Sequence, residues 1–348
     1  MTNLNKIGDS VSQIRIYYIT MKTIFLNNYP HPAHGLWADS INAQYIDDRV
    51  AEYKLKNFSR IQKSLETIKK IPKDAEFVLC ESASQLITGV IWKTFHKKKK
   101  LGLIVSDPKY YHMWKMLSFK KKLYLMTLKK VDIFICSSQL MKDYLPKESH
   151  DRAYVVPPAF NREKFEKIKC NINNKNIIFT ARICLEKGVD HLVNVFLKVK
   201  KQYKESRLYL LGASSYIPGQ GDLREQLENK KIKDIIFTGH VDTRPYLKKC
   251  SLYVNLSWIE PASVSVLQAM STGIVPIVNQ NVGNKSYVAM INKELVVNND
   301  EEAENMILKL WKNKKLLEKY SKKAIEASKL YPDERESIRL FKKAIEKL

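Results

Sequence analysis

Arg182 and Lys187 lie five positions apart in TARICLEKG, just after an apolar run, and Glu260 follows another such run in NLSWIEPASVSVLQAM. A planar guanidinium fork and a compact ammonium at that spacing suit the oxygens of a diphosphate. Gly188 then opens a helix whose free N-terminal amides add positive potential. Glu260 ends its strand at the mouth of a later helix, where a carboxylate can hold a sugar hydroxyl. Ser263 suits the N-cap of that helix, and the amides of Val264 and Ser265 face the same phosphates. Gln268, eight residues after Glu260, has an amide able to accept from one ribose hydroxyl and donate to another. The set points to a nucleoside diphosphate joined to a sugar. Each member also has a plainer reading, as a surface cation or as a helix-end charge favoured by the dipole.

These residues need elements to position them. The second half alternates regularly between apolar runs and helical periodicity. Strands are expected at Asn176–Thr180, Arg207–Leu211, Ile235–Thr238, Leu252–Leu256 and Ile274–Val278. Helices are expected at Val189–Tyr203, Asp222–Asn229, Arg244–Lys249 and Val264–Ser271. Such alternation means a parallel sheet with helices on both faces. Open parallel sheets bind ligands at the carboxyl ends of their strands, so Ala181–Arg182, Gly212–Ala213, Gly239–His240 and Glu260 are expected on one edge. Gly212 and Gly239 would let backbone approach a ligand, or simply make tight turns.

The first half shares this grammar. Strands are expected at Thr23–Asn27, Phe77–Cys80, Leu103–Ser106 and Val131–Ser137, a loop at PHPAHG, and a helix over Ala38–Val50. Met1–Thr20 precedes a cleaner start at Met21 and reads as an edge strand or a misplaced start codon. The paired prolines of YVVPPAFNREKF mark a linker. The division is therefore 1–166, 167–330 and a closing helix, 331–348, after a break at Tyr331–Pro332, with that helix able to cross back to the first domain. At 348 residues with 45% hydrophobic content, the chain is long enough for two cores. The five cysteines show no CxxC or zinc-knuckle spacing, which fits a reducing, cytoplasmic setting. No apolar stretch reaches the roughly 20 residues that span a bilayer.

From Asn176 to Val288 the sequence resembles the donor domain of retaining GT-B glycosyltransferases of family four, the group 1 type. The resemblance rests on Arg182, Lys187, Gly188, Glu260 and QAMSTGIVP, with GASS after LYLL, TGHV after IIF, and VVPPAFNREKF at the family's inter-domain signature. It implies an α/β fold of two Rossmann-like domains facing a cleft. It also implies transfer of a sugar from a nucleoside-diphosphate sugar, with retention and without a metal or other cofactor. Arg182 and Lys187 would neutralise the leaving diphosphate, and Glu260 would orient the donor sugar. Gly35, beside His31 and His34, resembles the glycine loop near the donor phosphates, and those histidines become acceptor-side candidates. Asp107 stands where the family places a sugar-contacting His, or it simply starts a turn. Three departures are clear: Gln268 replaces the second Glu of the family's motif, Pro261 replaces a Gly and removes an amide donor, and Pro158–Ala159 replace Asn-Gly.

The net charge of +24 calls for an anionic partner or reflects a lysine-rich composition. Two segments concentrate it, Lys93–Lys100 (KTFHKKKK) and His112–Lys130, where lysines interleave with Met, Trp, Leu, Phe and Tyr. That is the composition of a helix lying on an anionic membrane surface. A buried apolar face with a solvated lysine face has the same pattern. Expected partners are a nucleotide-sugar donor, a glycan or lipid-linked acceptor and an anionic membrane face. The competing readings are a polyanion-binding protein, against which the lack of any recognisable nucleic-acid motif counts, and an epimerase or phosphorylase on the same scaffold.

Overall fold

The computed structural model describes residues 21–28, 30–49, 57–217 and 221–348; the Met1–Thr20 reading lies outside them. The first lobe runs β1 Thr23–Asn27, α1 Pro32–Asp39, β2 Gln44–Asp47, α2 Asn57–Ile68, β3 Phe77–Cys80, α3 Ala83–Phe95, β4 Lys100–Val105, α4 Lys109–Met113, α5 Ser118–Leu128, β5 Ile133–Cys136, α6 Gln139–Asp143 and β6 Ala153–Val155. Its strands form one parallel sheet in the order β2-β1-β3-β4-β5-β6. β1, β3 and β5 are buried along their whole length, as a sheet covered on both faces requires.

The second lobe runs α7 Glu163–Glu166, β7 Asn176–Thr180, α8 Val189–Lys200, β8 Arg207–Leu211, β9 Tyr216–Ile217, β10 Gly221–Asp222, α9 Leu223–Asn229, β11 Ile235–Gly239, α10 Arg244–Leu247, β12 Leu252–Asn255, α11 Val264–Ser271, β13 Val275–Asn279, α12 Lys285–Ile291, β14 Val296–Val297, α13 Asp300–Lys312, α14 Lys314–Lys329 and α15 Glu334–Ile345. Its main sheet is parallel in the order β11-β8-β7-β12-β13-β14, with β9 and β10 a small separate hairpin.

Five expectations need correction. PHPAHG is not a loop: Pro32 takes the first helical turn of α1, where its missing N–H costs nothing. The helix expected over Ala38–Val50, whose last residue lies outside the described residues, is absent from 40–49, because α1 ends at Asp39 and β2 follows as an edge strand with one buried residue. The stretch read as a linker begins with β6, and β14 extends the second sheet beyond the strand expected to be last. Glu260 does not end β12, which stops at Asn255; it forms an isolated bridge to Val282 instead.

Strand order fixes where ligands go. In each sheet successive strands lie on opposite sides of a starting strand, and a crevice opens at that switch. The first sheet switches between β1 and β3, the second between β7 and β12. The last helix, α15, does not stay with the second lobe. Phe341, Ala344 and Ile345 join the core formed by Phe25, Trp37 and Ile135. Trp37 stacks on Phe341 with ring centroids 5.8 Å apart, and its indole N–H donates to Ser337 Oγ at 2.9 Å. The two crossing strands of chain touch: Phe160 N donates to Pro332 O, and the Arg162 guanidinium donates to the carbonyls of Lys329 and Tyr331.

Candidate active site

At the second switch point, Lys187 and Glu260 meet. Lys187 Nζ donates to Glu260 Oε2 at 2.7 Å, with the side chains only 9% and 14% exposed. The reason is local. The segment after β12 runs along the turn that carries Lys187: Trp258 N donates to Glu186 O at 2.9 Å, and Ser257 Oγ to Lys187 O at 3.3 Å. Gly188 makes this approach possible. Its φ of 62° is left-handed, and a Cβ there would lie 2.1 Å from Leu256 O. Glu260 is fixed from its other side, since its N–H donates to Asn281 O and its carbonyl accepts from Gly283 N. Gly283 was missed in the sequence. A Cβ on it would lie 1.8 Å from Pro261 O and 2.7 Å from Ser138 Oγ of the first lobe.

Lys187 and Glu260 are therefore not two independent ligands. The carboxylate holds one ammonium hydrogen and leaves two for an anion. Arg182 follows β7, is exposed, and has no side-chain partner among the described residues. It is the free cation of the set.

The first turn of α11 presents unbonded amides, as helix N-termini do. Ser263 occupies the N-cap but makes no capping hydrogen bond. The Ser265 hydroxyl points inward instead: it donates to Thr180 O at 2.9 Å and lies 2.8 Å from the Tyr253 hydroxyl, whose pKa burial pushes up to about 12. The Ser265 side chain is thereby engaged within the lobe. Val264 is half-buried against the core. Gln268 is half-buried with no side-chain partner among the described residues. Gly212 and Gly239 sit at adjacent strand ends, where Gly212 N donates to Gly239 O at 2.8 Å. A Cβ on Gly212 would lie 1.8 Å from Ala181 O, so backbone packing already demands a glycine there.

The first switch point holds a second cluster. His34 Nδ1 lies 3.2 Å from Glu81 Oε1, and its Nε2 lies 3.2 Å from Ser106 Oγ. Glu81 also accepts from the backbone N–H of Asn28 at 3.1 Å and of His31 at 2.7 Å. A carboxylate only accepts, so the facing Nδ1 carries a proton, and Nε2 can take the Ser106 hydroxyl hydrogen. Glu81 and Ser106 directly follow β3 and β4, the same strand-end signal that marked Arg182. His31 caps α1, its Nδ1 accepting from Ala33 N at 3.3 Å. Desolvation and the nearby His34 ring hold its pKa below the ordinary value, against the pull of Glu81. Asp107 is a turn-starter: its carboxylate accepts from Lys109 N at 2.8 Å. Gly35 lies inside α1, its carbonyl accepting from the Tyr45 hydroxyl, so it forms no glycine loop.

The lobes approach each other here. Tyr144 Oη lies 3.5 Å from Asn281 Oδ1. A cavity of about 590 Å³ is lined by Tyr111 of the first lobe together with Trp258, Asn281, His191 and Asp300 of the second. Arg182, Lys187, Glu260 and Gln268 do not line it. Among the described residues no three His, Cys, Asp or Glu side chains cluster as metal ligands.

Two lobes, each built on a parallel six-stranded sheet with its own switch point, make the GT-B fold. Residues 174–313, which span most of the second lobe, match the family model for glycosyl transferases group 1. The chain is 27% identical over 162 residues to an uncharacterised glycosyltransferase, YqgM, of Bacillus subtilis, covering 46% of this chain and 45% of that protein. It is 26% identical over 173 residues to an alpha-monoglucosyldiacylglycerol synthase of Streptococcus pneumoniae, covering 44% and 38%. The chain thus spans less than half the length of these relatives. Among solved structures, HepE of Anabaena in complex with UDP and glucose superposes with a TM-score of 0.72 at 13% identity, covering 94% of this chain and all of that one.

Proposed function

We propose that the protein is a retaining glycosyltransferase, moving a sugar from a nucleoside-diphosphate sugar to a glycan or lipid-linked acceptor. The observation that carries this reading is the convergence of Arg182, the Lys187–Glu260 pair and the uncapped end of α11 at one switch point, inside the segment that matches the family. Arg182, the two remaining Lys187 hydrogens and the α11 amides neutralise the diphosphate as it leaves, a stabilisation of developing charge by groups already in place. Glu260 orients Lys187 and the donor sugar. Gln268 takes the ribose. Retention follows if the acceptor hydroxyl enters from the face the diphosphate leaves. The His34–Glu81–Ser106 cluster, at the facing switch point, sits on the acceptor side and positions the incoming hydroxyl.

UDP-bound and lipid-named relatives support a nucleotide-sugar donor and keep a lipid acceptor in view. The family match favours transfer over polyanion binding. The test is thermal stabilisation of the purified chain by UDP, GDP, ADP and their sugar conjugates, without added metal. Ligands that bind only the folded state raise its stability. A shift with one nucleotide, lost in Arg182→Ala, is expected. The reading fails if no nucleotide shifts the wild type, or if Arg182→Ala responds as wild type does.

A further inference from the structure

The lysine-rich stretch before β5 has the opposite orientation from that of a core helix. In α5 the residues Phe119, Leu123 and Met126 recur at helical spacing, and they are the exposed face: 78%, 56% and 56% accessible. Leu117, in the turn before, is 74% exposed. The helix is anchored from its other side by Leu128, with Tyr124 and Leu125 against the core. An outward apolar stripe loses the hydrophobic gain that ordinarily fixes a helix to its protein. Lys120, Lys122, Lys129 and Lys130 border the stripe, all exposed, and none forms an ion pair among the described residues. From Pro108 to Lys130 there is no acidic residue. Trp114, 45% exposed, stands at the rim with its indole N–H donating to Tyr144 O at 2.9 Å.

We propose that α5 and the turn before it dock the protein on an anionic lipid bilayer. An apolar stripe edged by unpaired ammonium groups matches such a surface in both respects: side chains enter the acyl boundary while lysines meet lipid phosphates. A protein partner would need matching carboxylates as well as an apolar socket. The place is apt for a lipid-borne acceptor. Trp114 is three residues from Tyr111, which lines the inter-lobe cavity, and α4 and α5 continue from the end of β4, where Ser106 stands. Docking itself does not depend on the transfer reading, since it is read out without turnover or nucleotide.

The experiment is flotation of the full chain with vesicles of phosphatidylcholine alone, and of phosphatidylcholine mixed with phosphatidylglycerol. Wild type is expected to float with the mixed vesicles only, and less as salt rises. Phe119→Ser with Leu123→Ser is expected to weaken partitioning by more than about tenfold. Lys120→Gln, Lys122→Gln and Lys129→Gln together should weaken it by roughly a hundredfold. Circular dichroism and a cooperative thermal melt report that these variants remain folded. Failure of wild type to float, equal flotation with both vesicle types, or wild-type flotation of the serine variant would each overturn the proposal. So would light scattering that shows a dimer which the serine variant dissolves, because the stripe would then face a second copy.

Discussion

At the scale of single residues, the Lys187–Glu260 pair changes what a substitution means. For a carboxylate that only orients a donor sugar, Glu260→Ala would lower turnover far more than it disturbs folding. In the structure it leaves an ammonium about nine-tenths buried without its counter-charge. Glu260→Ala and Lys187→Met are each expected to cost about 2–3 kcal/mol of stability, below the range for fully buried pairs. The double variant should cost less than their sum, and a denaturant double-mutant cycle measures the difference. Arg182→Ala is the contrasting case, with nucleotide binding lost and stability within about 0.5 kcal/mol of wild type, as for other exposed positions. His31 carries a pH dependence. Its folded pKa lies below 6.5, so between the two values the unfolded chain binds more protons than the folded one. Stability is then present above the unfolded pKa and declines as pH falls through it. His31 as a whole residue still keeps much of its surface in water, so the effect is small. His31→Asn, which keeps a capping oxygen, should flatten the melting temperature between pH 7 and the folded pKa, as followed by calorimetry.

At the scale of elements, substitutions separate a glycine inside a helix from glycines that let two backbone segments meet. Gly35→Ala lies within a helix, where the added Cβ meets only Tyr45 Oη at 3.4 Å; stability should hold or rise by up to ~1 kcal/mol. Gly188→Ala and Gly283→Ala drive a Cβ into backbone and should both lower the melting temperature and abolish the nucleotide-induced shift. Equal behaviour of all three variants would refute this division. The long central elements were legible because burial on both faces writes a continuous apolar run, as in NIIFT and FVLC. β2, β6 and β14 were not. They are two to four residues long at sheet edges, where few side chains are buried and no period can establish itself. The helix expected across Ala38–Val50 failed for that reason: the end of a helix and a half-exposed strand together mimic one amphipathic run.

At the scale of the molecule, the lobes are joined by more than a linker. α15 follows the second lobe in sequence and closes the core of the first. Phe341→Ala is expected to cost about 3–5 kcal/mol, lowering the melting temperature measured on intact protein. Nucleotide binding at the second switch point should survive at temperatures where the chain is still folded. The sequence by itself determined the alternation of strands and helices, hence the parallel sheets. It also determined that Arg182, Gly212 and Gly239 would fall at strand ends, because chain order and apolar periodicity are local quantities. Tertiary structure alone decided that Lys187 is held by Glu260, that Ser265 turns inward to Thr180, and that Glu81, His34 and Ser106 meet, since each contact joins segments far apart in the chain. It also decided which face of α5 meets solvent. A period of 3.6 residues records that a helix has an apolar side but not what lies against it, and only the packing of Leu128, Tyr124 and Leu125 turned Phe119, Leu123 and Met126 outward.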